Sequence, residues 1–418
     1  MRGFLYIEDG CPKGAFVVRA VVFHGVGDIR LDDVEEPKIQ EPTDVIIRLT
    51  SSAICGTDLH MVRGTLAGMQ PGTILGHEGV GVIEELGSNA RNLNAGDRVV
   101  VGSTIGCGYC MYCREGSYTQ CDKANLNGPQ AGTAFFGGPQ PTGPFHGMQA
   151  EYARIPFAAV NCVKLPDQVT DQQAIMLSDI FPTGWFGAEL AEVSDGDTVA
   201  VFGCGPVGQF AIASAFIMGA GQAFAVDKDE SRMEMARAQG AQVINYNEED
   251  PVGTIFELTG GIGVDRVIEA VGVDAESPQS GPVGEVAGGE YGEELNRGAP
   301  KTNPKGETWV PGNAPPQSLV WSAQCVKKAG VIGVIGVFPP QAITAPIGVV
   351  QQRNLTVRGG NANHRKFIPK LVGLVATGAL DPTTILTNTE PVTNAIEAYE
   401  TFDQRRPGWI KVELNPAA

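Results

Sequence analysis

The sequence predicts an α/β protein with a β-rich first part followed by a doubly wound parallel sheet. Three observations predict this fold class. To about Pro182 the chain is rich in Gly and Val and has short alternating apolar runs, such as VIIRLTSSAIC and DRVVVGST, bounded by turns. Beyond that point, short apolar runs alternate with segments of helical length, which indicates βαβ units. The first strand-to-helix junction of this second region carries the glycine pattern G-x-G-x-x-G.

The elements of the second region follow one another regularly. We predict strands at DTVAVFG, QAFAVD, AQVINY, VDRVIEAVG and VIGVIGV, and helices at PVGQFAIASAFIMGA, ESRMEMARAQ, PVGTIFELTGG and SLVWSAQCVKKAG. The chain is expected to close with a helix at FIPKLVGLVATGAL and a strand at WIKVEL. Residues 274–317 interrupt this rhythm. About a third of them are Gly or Pro, which is typical of a functional loop or of a disordered linker.

The composition narrows the range of functions. The 418 residues carry a formal net charge of −17, with a sequence pI of about 4.8. This charge argues against a nucleic-acid partner or an anionic membrane surface, since phosphate binding needs clustered Lys and Arg. No apolar run reaches the roughly 18 residues of a membrane span, and the start MRGFLYIEDGCPKG has no apolar stretch of signal-peptide length. We therefore expect a cytoplasmic protein.

The segment CGYCMYCREGSYTQC holds four of the nine cysteines, spaced C-x2-C-x2-C-x7-C. Nine is an odd number and too few for a disulfide framework at this length, so metal binding is favoured. Four thiolates satisfy the tetrahedral preference of zinc. An iron–sulfur cluster and free thiols stay alternatives, although Asp122 stands where a proline often follows the last cysteine of such clusters. The four cysteines are Cys107, Cys110, Cys113 and Cys121.

The glycine pattern predicts a dinucleotide site of the Rossmann type. Gly203 permits a tight turn, Gly205 lets the backbone approach a pyrophosphate, and Gly208 lets the helix pack closely on the strand. The helix N-terminus then offers N–H groups to the phosphates. Asp227, at the end of the next predicted strand, would accept hydrogen bonds from the ribose and repel a 2′-phosphate, which favours NAD over NADP. A flavin, or a turn without ligand, is the alternative.

Three further motifs supply metal-ligating side chains. ICGTDLH contains Cys55, Thr57, Asp58 and His60. ILGHEGVG contains His77 and Glu78, and LSDIFPTGW contains Asp179. Each motif alone is compatible with ordinary core residues.

Taken together and in this order, these features resemble the zinc-containing medium-chain alcohol dehydrogenases over nearly the whole chain. The motif SD-x-x-PTG, with Asp where most relatives carry Cys, and the long insertion resemble the branch of the glutathione-independent formaldehyde dehydrogenases. The resemblance implies a GroES-like β-rich catalytic domain over residues 1–180, completed by 359–418. It also implies a Rossmann NAD-binding domain over 181–358 with the insertion 274–317.

The resemblance also implies roles for individual residues. A catalytic zinc would be held by Cys55, His77 and Asp179 with a fourth position open, and a structural zinc by the four clustered cysteines. Asp58 would orient His77, Glu78 would approach the metal, and the proton of the alcohol would leave through Thr57 and His60. Contacts to NAD are implied for Thr183, Gly203, Gly205, Pro206, Val207, Gly208, Asp227 and Lys411.

The remaining histidines and cysteines are interpreted as structural, although Cys204 has the position to touch the cofactor. These residues are His24, His146, His364, Cys11, Cys162, Cys204 and Cys325. In the insertion, four side chains are expected against the adenosine and its phosphates, where they would slow NAD release: Tyr291, Arg297, Lys301 and Trp309.

The sequence thus predicts an NAD-dependent zinc enzyme acting on a small alcohol or aldehyde, as a homotetramer or homodimer. Two alternatives stay open. One is an aldehyde dismutase with permanently bound NAD, and the other is a catalytically idle NAD- and zinc-binding protein. A zinc-free quinone reductase of the same superfamily is disfavoured by the three ligands.

Overall fold

The computed structural model describes residues 17–282, 296, 302–342 and 344–416. The strands are β1 Val17–Gly25, β2 Asp28–Glu35, β3 Val45–Ile54, β4 Thr73–Ile74, β5 Gly79–Leu86, β6 Arg98–Val101, β7 Tyr152–Ile155, β8 Cys162–Lys164, β9 Thr198–Phe202, β10 Gln222–Asp227, β11 Gln242–Asn245, β12 Val264–Glu269, β13 Val326–Val334, β14 Thr356–Gly359, β15 Asn388–Pro391 and β16 Val412–Asn415.

The α-helices span Gly56–Arg63, Met111–Arg114, Ala158–Asn161, Asp171–Ser178, Ile180–Leu190, Pro206–Ile217, Glu230–Ala238, Pro251–Leu258, Gln317–Cys325, Ile347–Gln352, His364–Ala376 and Ala395–Asp403. Short 3₁₀ turns lie at Tyr118–Gln120, Gln140–Thr142, Gly272–Asp274, Pro382–Ile385 and Val392–Asn394. Among the described residues, no helix is both long and apolar enough to cross a membrane.

The β-rich domain is built from two sheets. The larger has the order β15-β16-β3-β5-β6-β8, with β7 added beside β3, and the smaller has the order β2-β1-β4. Strand β16, from the C-terminal end, pairs antiparallel with β3. The end of the chain therefore returns to the first domain and completes its larger sheet.

The second domain is a six-stranded sheet of order β11-β10-β9-β12-β13-β14. Every pairing in it is parallel. Counted from its first strand, this is the order 3-2-1-4-5-6 of a Rossmann sheet, and the strand order reverses between β9 and β12. The carboxyl ends of those two strands form the crevice in which ligands of such folds bind.

Two predicted elements differ from the structure. Residues 326–330 were expected to continue a helix, but the helix ends at Cys325 and strand β13 begins at Val326. Val326 already pairs with Val264 at the start of β12, and Ala329 has a positive φ of 58°, which no α-helix accommodates. The first part of the chain is also not purely β, because helices Gly56–Arg63 and Asp171–Ser178 pack within it.

Within the insertion the structure describes residues 274–282, 296 and 302–317, so Tyr291, Arg297 and Lys301 lie outside the described residues. Trp309 is buried, and it belongs to an apolar cluster of the β-rich domain that includes Leu59 and Tyr399. The expected contact of Trp309 with adenosine is thus replaced by an anchor to the other domain. Cys11 also lies outside the described residues.

Candidate metal and coenzyme sites

The four-thiol segment folds around a common centre. The Sγ atoms of Cys107 and Cys113 lie 4.0 Å apart, and those of Cys110 and Cys121 lie 3.8 Å apart. A disulfide needs about 2.05 Å, whereas two thiolates on a tetrahedral zinc lie about 3.8 Å apart at Zn–S bonds of about 2.3 Å. The arrangement therefore fits a zinc site with four sulfur donors.

Backbone amides surround these sulfurs. Cys107 Sγ accepts from the N–H groups of Tyr109 and Cys110, and Cys121 Sγ accepts from those of Cys107 and Ala124. Such bonds stabilise thiolates by partial positive charge. Because four protein donors complete a tetrahedron, this site has no position for a substrate.

The second group of donors lies at an apolar cluster that contains Cys55, Phe181 and Phe210. One ligand atom from each of Cys55, His77, Glu78 and Asp179 lies within 4.8 Å of the others. Cys55 Sγ and His77 Nε2 are each 3.6 Å from Asp179 Oδ2. Donors of a tetrahedral zinc with one sulfur lie about 3.4–3.6 Å apart. Cys55, His77 and Asp179 therefore fit a zinc ion, and Glu78, the fourth possible donor, is engaged in an ion pair with Lys411.

Asp58 organises two of these donors at once. Its Oδ2 accepts from the backbone N–H of Cys55 at 3.0 Å, which caps the helix Gly56–Arg63. Its Oδ1 lies 3.1 Å from Nδ1 of His77, which leaves Nε2 of that ring facing the other donors. Burial alone would lower the pKa of His77, but the charges of Asp58 and Cys55 outweigh it and raise that pKa well above its ordinary value.

The two oxygens of Asp179 have separate tasks. Oδ1 accepts from Ser103 Oγ at 2.9 Å, His364 Nε2 at 2.9 Å and Thr183 Oγ1 at 3.3 Å. Oδ2 is the atom that faces the cysteine and the histidine of the donor set. Burial would raise the pKa of Asp179, but bonds from His364 and His77 hold it well below its usual range, so the carboxylate is ionised.

Glu78 is paired with Lys411, for which the sequence implied a contact with NAD. Lys411 Nζ lies 2.6 Å from each carboxylate oxygen of Glu78 and 3.1 Å from the carbonyl oxygen of Ile54. These three acceptors use all three N–H groups, and both side chains are fully buried. In the structure the partner of Lys411 is Glu78, and the expected contact of Lys411 with NAD stays a prediction.

The relay residues lie along one helix face. Thr57 and His60 are three positions apart in Gly56–Arg63, so their side chains lie on the same side. His60 Nδ1 lies 3.1 Å from Thr65 Oγ1 and 3.2 Å from Asp274 Oδ2. His60 is buried rather than at the surface. His60 thus connects this helix to Asp274, a carboxylate that lines the cavity described next.

The glycine motif forms the floor of a cavity of about 630 Å³. Gly203 has a φ of 88°, and a Cβ on Gly208 would lie 1.8 Å from the carbonyl oxygen of Gly203. A Cβ on Gly205, by contrast, would meet only Arg232 Nη1, at 4.0 Å, so this position is open to the cavity. Pro206 begins the following helix with its first N–H groups on the same side. The cradle fits a pyrophosphate.

Asp227 lines the same cavity at the end of β10. Its Oδ2 accepts from the N–H of Cys204 at 2.7 Å, and its Oδ1 accepts from those of Lys228 and Asp229 at 2.7 and 3.0 Å. The carboxylate is thus fixed at the position where the ribose of a dinucleotide would lie. Cys204 itself is fully buried in an apolar cluster, and its thiol does not line the cavity.

The far wall of the cavity comes from the insertion. Among the residues that line it are Glu307, Val310, Pro311 and Asn313. A Cβ on Gly312 would lie 2.3 Å from the carbonyl carbon of Asp274, so the chain at Gly312 passes the 3₁₀ turn Gly272–Asp274 at a distance that only glycine allows.

Two residues in this region have contacts that the sequence did not predict. The hydroxyl of Thr183 donates to Asp179, and its expected contact with the cofactor stays a prediction. His364 was interpreted as a structural histidine, yet it lies against the same carboxylate. The sequence carries no pattern that would have identified it, because His364 and Asp179 are 185 positions apart.

The other two histidines make local contacts. His24 Nε2 lies 2.6 Å from Asp32 Oδ2, and His146 Nδ1 accepts from the N–H of Ile74. Neither belongs to either group of donors among the described residues.

Comparison with known proteins agrees with this geometry. The family model of the alcohol dehydrogenase GroES-like domain matches residues 41–167, and that of the zinc-binding dehydrogenases matches 206–280. A zinc-type alcohol dehydrogenase-like protein of Bacillus subtilis is 35% identical over 96% of this chain and 100% of its own length. The solved alcohol dehydrogenase from Thermus sp. ATN1 is 32% identical with a TM-score of 0.77, covering 95% of this chain and 99% of that one.

A third relative bears on the predicted branch. The glutathione-independent formaldehyde dehydrogenase of Pseudomonas aeruginosa is 37% identical, over 62% of this chain and 66% of its own length. The fold and the donor set define a zinc- and NAD(P)-dependent oxidoreductase. With the comparisons, the predicted family is confirmed: the chain belongs to the zinc-type medium-chain alcohol dehydrogenases.

Proposed function

We propose that this protein is an NAD-dependent dehydrogenase of small alcohols or aldehydes, with one catalytic and one structural zinc per chain. Each centre has four possible donors, and the observation that carries the proposal is that Glu78, in the second set, is paired with Lys411, which leaves three donors and an open position there. The three-donor centre is held by Cys55, His77 and Asp179. The four-donor centre is closed and has a structural role.

The residues at the open centre divide the work. A zinc ion held there would act as a Lewis acid that lowers the pKa of an alcohol. Asp58 and the bonds to Asp179 keep the donors oriented. Lys411 holds the carboxylate of Glu78 in a fully buried ion pair, which leaves Cys55, His77 and Asp179 as the metal donors.

Proton movement falls to Thr57 and His60. The hydroxyl of Thr57 takes the proton of the alcohol and passes it on toward the imidazole one turn later. Asp274 orients that ring through Nδ1. Burial would raise the pKa of Asp274, but Arg63 and His60 hold it well below its usual range, so the carboxylate stays charged beside the ring.

NAD is the coenzyme that the cavity favours. NAD supplies the acceptor for the hydride, and the chain supplies its seat: the glycine turn for the pyrophosphate and Asp227 for the ribose. The fixed carboxylate of Asp227 would lie beside a 2′-phosphate and repel it.

The test is a panel of alcohols and aldehydes assayed with NAD and NADP, together with metal analysis. We expect two zinc ions per chain and NAD-linked oxidation of at least one alcohol or aldehyde class. Iron in place of zinc, or one metal per chain, would contradict the two-site assignment. Absence of turnover across the panel, with both zincs present, would favour the idle binding protein.

A second candidate, an aldehyde dismutase, is favoured by the insertion. Trp309 N donates to Asp403 Oδ2 at 2.6 Å, and Gly312 N donates to Asp274 Oδ1 at 3.2 Å. These two bonds hold the part of the insertion that lines the cavity. A coenzyme enclosed in this way is released slowly. Oxidation of one hydrated aldehyde to the acid then reduces NAD, and reduction of a second aldehyde to the alcohol reoxidises it.

The dismutase is tested by weakening the anchor. Trp309→Ala should speed NADH release by about tenfold, since about 2 kcal/mol or more of aromatic burial is lost, whereas Ile262→Ala, at an exposed site of the same domain, should not. Stopped-flow fluorescence measures the release. Wild-type protein without added NAD should convert an aldehyde into equal amounts of acid and alcohol. Unchanged release in Trp309→Ala, or no such products, would reject the dismutase.

The domain limits 1–180, 181–358 and 359–418, the homotetramer or homodimer, and the cytoplasmic location stay predictions.

A further inference from the structure

The third ligand of the open centre differs in kind from the other two. A thiolate sulfur or an imidazole nitrogen presents one ligand atom, but the carboxylate of Asp179 has two equivalent oxygens and rotates about its terminal bond. Asp179 also lies between two helices, Asp171–Ser178 and Ile180–Leu190, where its own backbone is not helical. Something other than secondary structure must therefore decide which oxygen faces the metal.

The structure shows an uneven set of contacts on this carboxylate. The donors from Ser103, His364 and Thr183 all bond Oδ1, while Oδ2 faces Cys55 and His77. A carboxylate oxygen only accepts, so Nε2 of His364 carries a proton and donates it. Ser103 and Thr183 have hydroxyls that rotate freely, whereas the imidazole is a rigid ring.

The ring of His364 is itself held in place. Nδ1 lies 2.9 Å from Thr104 Oγ1, which in turn donates to the carbonyl oxygen of Ala362 at 3.2 Å. A Cβ on Gly102 would lie 2.9 Å from the Cβ of His364, so that position leaves just enough room for the ring. His364 is 2% exposed and begins the helix His364–Ala376, whose other buried residues pack in the apolar cluster that also contains Cys55.

We propose that His364 is a positioning residue that fixes Asp179 as a ligand through one oxygen, Oδ2, by holding Oδ1 away from the metal. This inference rests on the proposed zinc site and adds to it a residue that the motifs around the ligands do not contain. The helix His364–Ala376 thereby couples the C-terminal part of the chain to the geometry of the open centre.

The experiment measures zinc retention directly. Purified wild-type protein is mixed with a chromogenic chelator, and zinc loss from the open centre is followed apart from the slower loss from the four-thiol site. His364→Phe keeps the ring shape but removes the donor, and we expect zinc loss about 10–100-fold faster. His364→Gln keeps an N–H donor of similar reach and should stay within a few-fold of wild type. Lys366→Gln, exposed on the same helix, is the control and should equal wild type.

A spectroscopic measurement separates positioning from general stability. With Co²⁺ in the open centre, the visible d–d bands report ligand geometry, and His364→Phe should shift them while His364→Gln retains them. A purely structural role would lower the thermal stability of both variants without changing the bands. Wild-type bands and wild-type zinc loss in His364→Phe would overturn the proposal.

Failure of the proposed metal site and failure of the role of His364 give different results. If wild-type protein holds a single zinc, or if Asp179→Ala retains two, the proposed metal site itself is wrong. If His364→Phe does not fold, Thr104→Val, which removes the hydroxyl at Nδ1, takes its place with an expected increase of about three- to tenfold in zinc loss. Zinc loss at the wild-type rate in Thr104→Val would then overturn the role of the ring.

Discussion

The two metal sites of this chain are built in opposite ways. The four-thiol site takes its donors from fifteen consecutive residues and stabilises them by backbone N–H groups. The open site takes Cys55, His77 and Asp179 from separate elements and orients them by side chains. A structural site needs only local chain geometry. A site that admits substrate leaves one coordination position free, and its three ligands are oriented by side chains that do not bind the metal.

The difference also decides what each site can lose. At the four-thiol site, loss of a donor weakens the metal that holds the loop together, and this lowers the free energy of unfolding. At the open site, the donors come from separate elements that are also held by other packing, and Cys55 lies in the same apolar cluster as Phe181 and Trp185. Loss of a donor there affects chemistry before it affects folding.

The largest expected effect is on catalysis at the open site. Asp179→Ala should lower kcat/KM by roughly a thousandfold, because Lewis-acid stabilisation is worth several kcal/mol. Steady-state kinetics and metal analysis check this, and we expect one zinc ion to remain per chain. Asp171→Asn, at the start of the preceding helix and away from the donors, is the control. Wild-type turnover in Asp179→Ala would remove Asp179 from the ligand set.

The next effect is on stability at the four-thiol site. Cys110→Ser should lower the free energy of unfolding by on the order of 3 kcal/mol, part of the roughly 10 kcal/mol or more that zinc contributes in small zinc domains. Denaturant unfolding measures it. Met111→Ser changes the neighbouring side chain, which is exposed and is not a ligand, and should leave stability unchanged. Equal stability of both variants would show that the lobe does not contribute to folding through a metal.

A smaller effect is expected away from both metals. Asp227→Ser should weaken the preference for NAD over NADP by about 10–30-fold, because the charge that repels a 2′-phosphate is removed. That repulsion disfavours NADP by about 1.4–2 kcal/mol. The ratio of kcat/KM for the two coenzymes measures it. Both zinc ions should be retained, which separates this change from the other two. A ratio equal to that of wild type would assign the coenzyme preference to another residue.

The parallel sheet and the glycine turn were predictable because their patterns are local. The alternation of strands and helices gave β9 to β12 close to their observed bounds, and Gly203 adopts the positive φ that its place in the motif requires. The end of the helix at Cys325 was not predictable in the same way. Pairing of Val326 with β12 decides it, and that pairing depends on a strand about 60 residues earlier.

The sequence by itself determined the family, the four thiols and the order of the ligand motifs, because each of these lies within a short stretch of chain. Only the tertiary structure placed His364 on Asp179, 185 positions away, and Lys411 on Glu78, 333 positions away. It also turned Trp309 into the core of the β-rich domain rather than toward the coenzyme. Burial decides these partners. A charged group or an indole that is removed from water is stable only beside a complementary group, and the tertiary fold determines which group lies close enough.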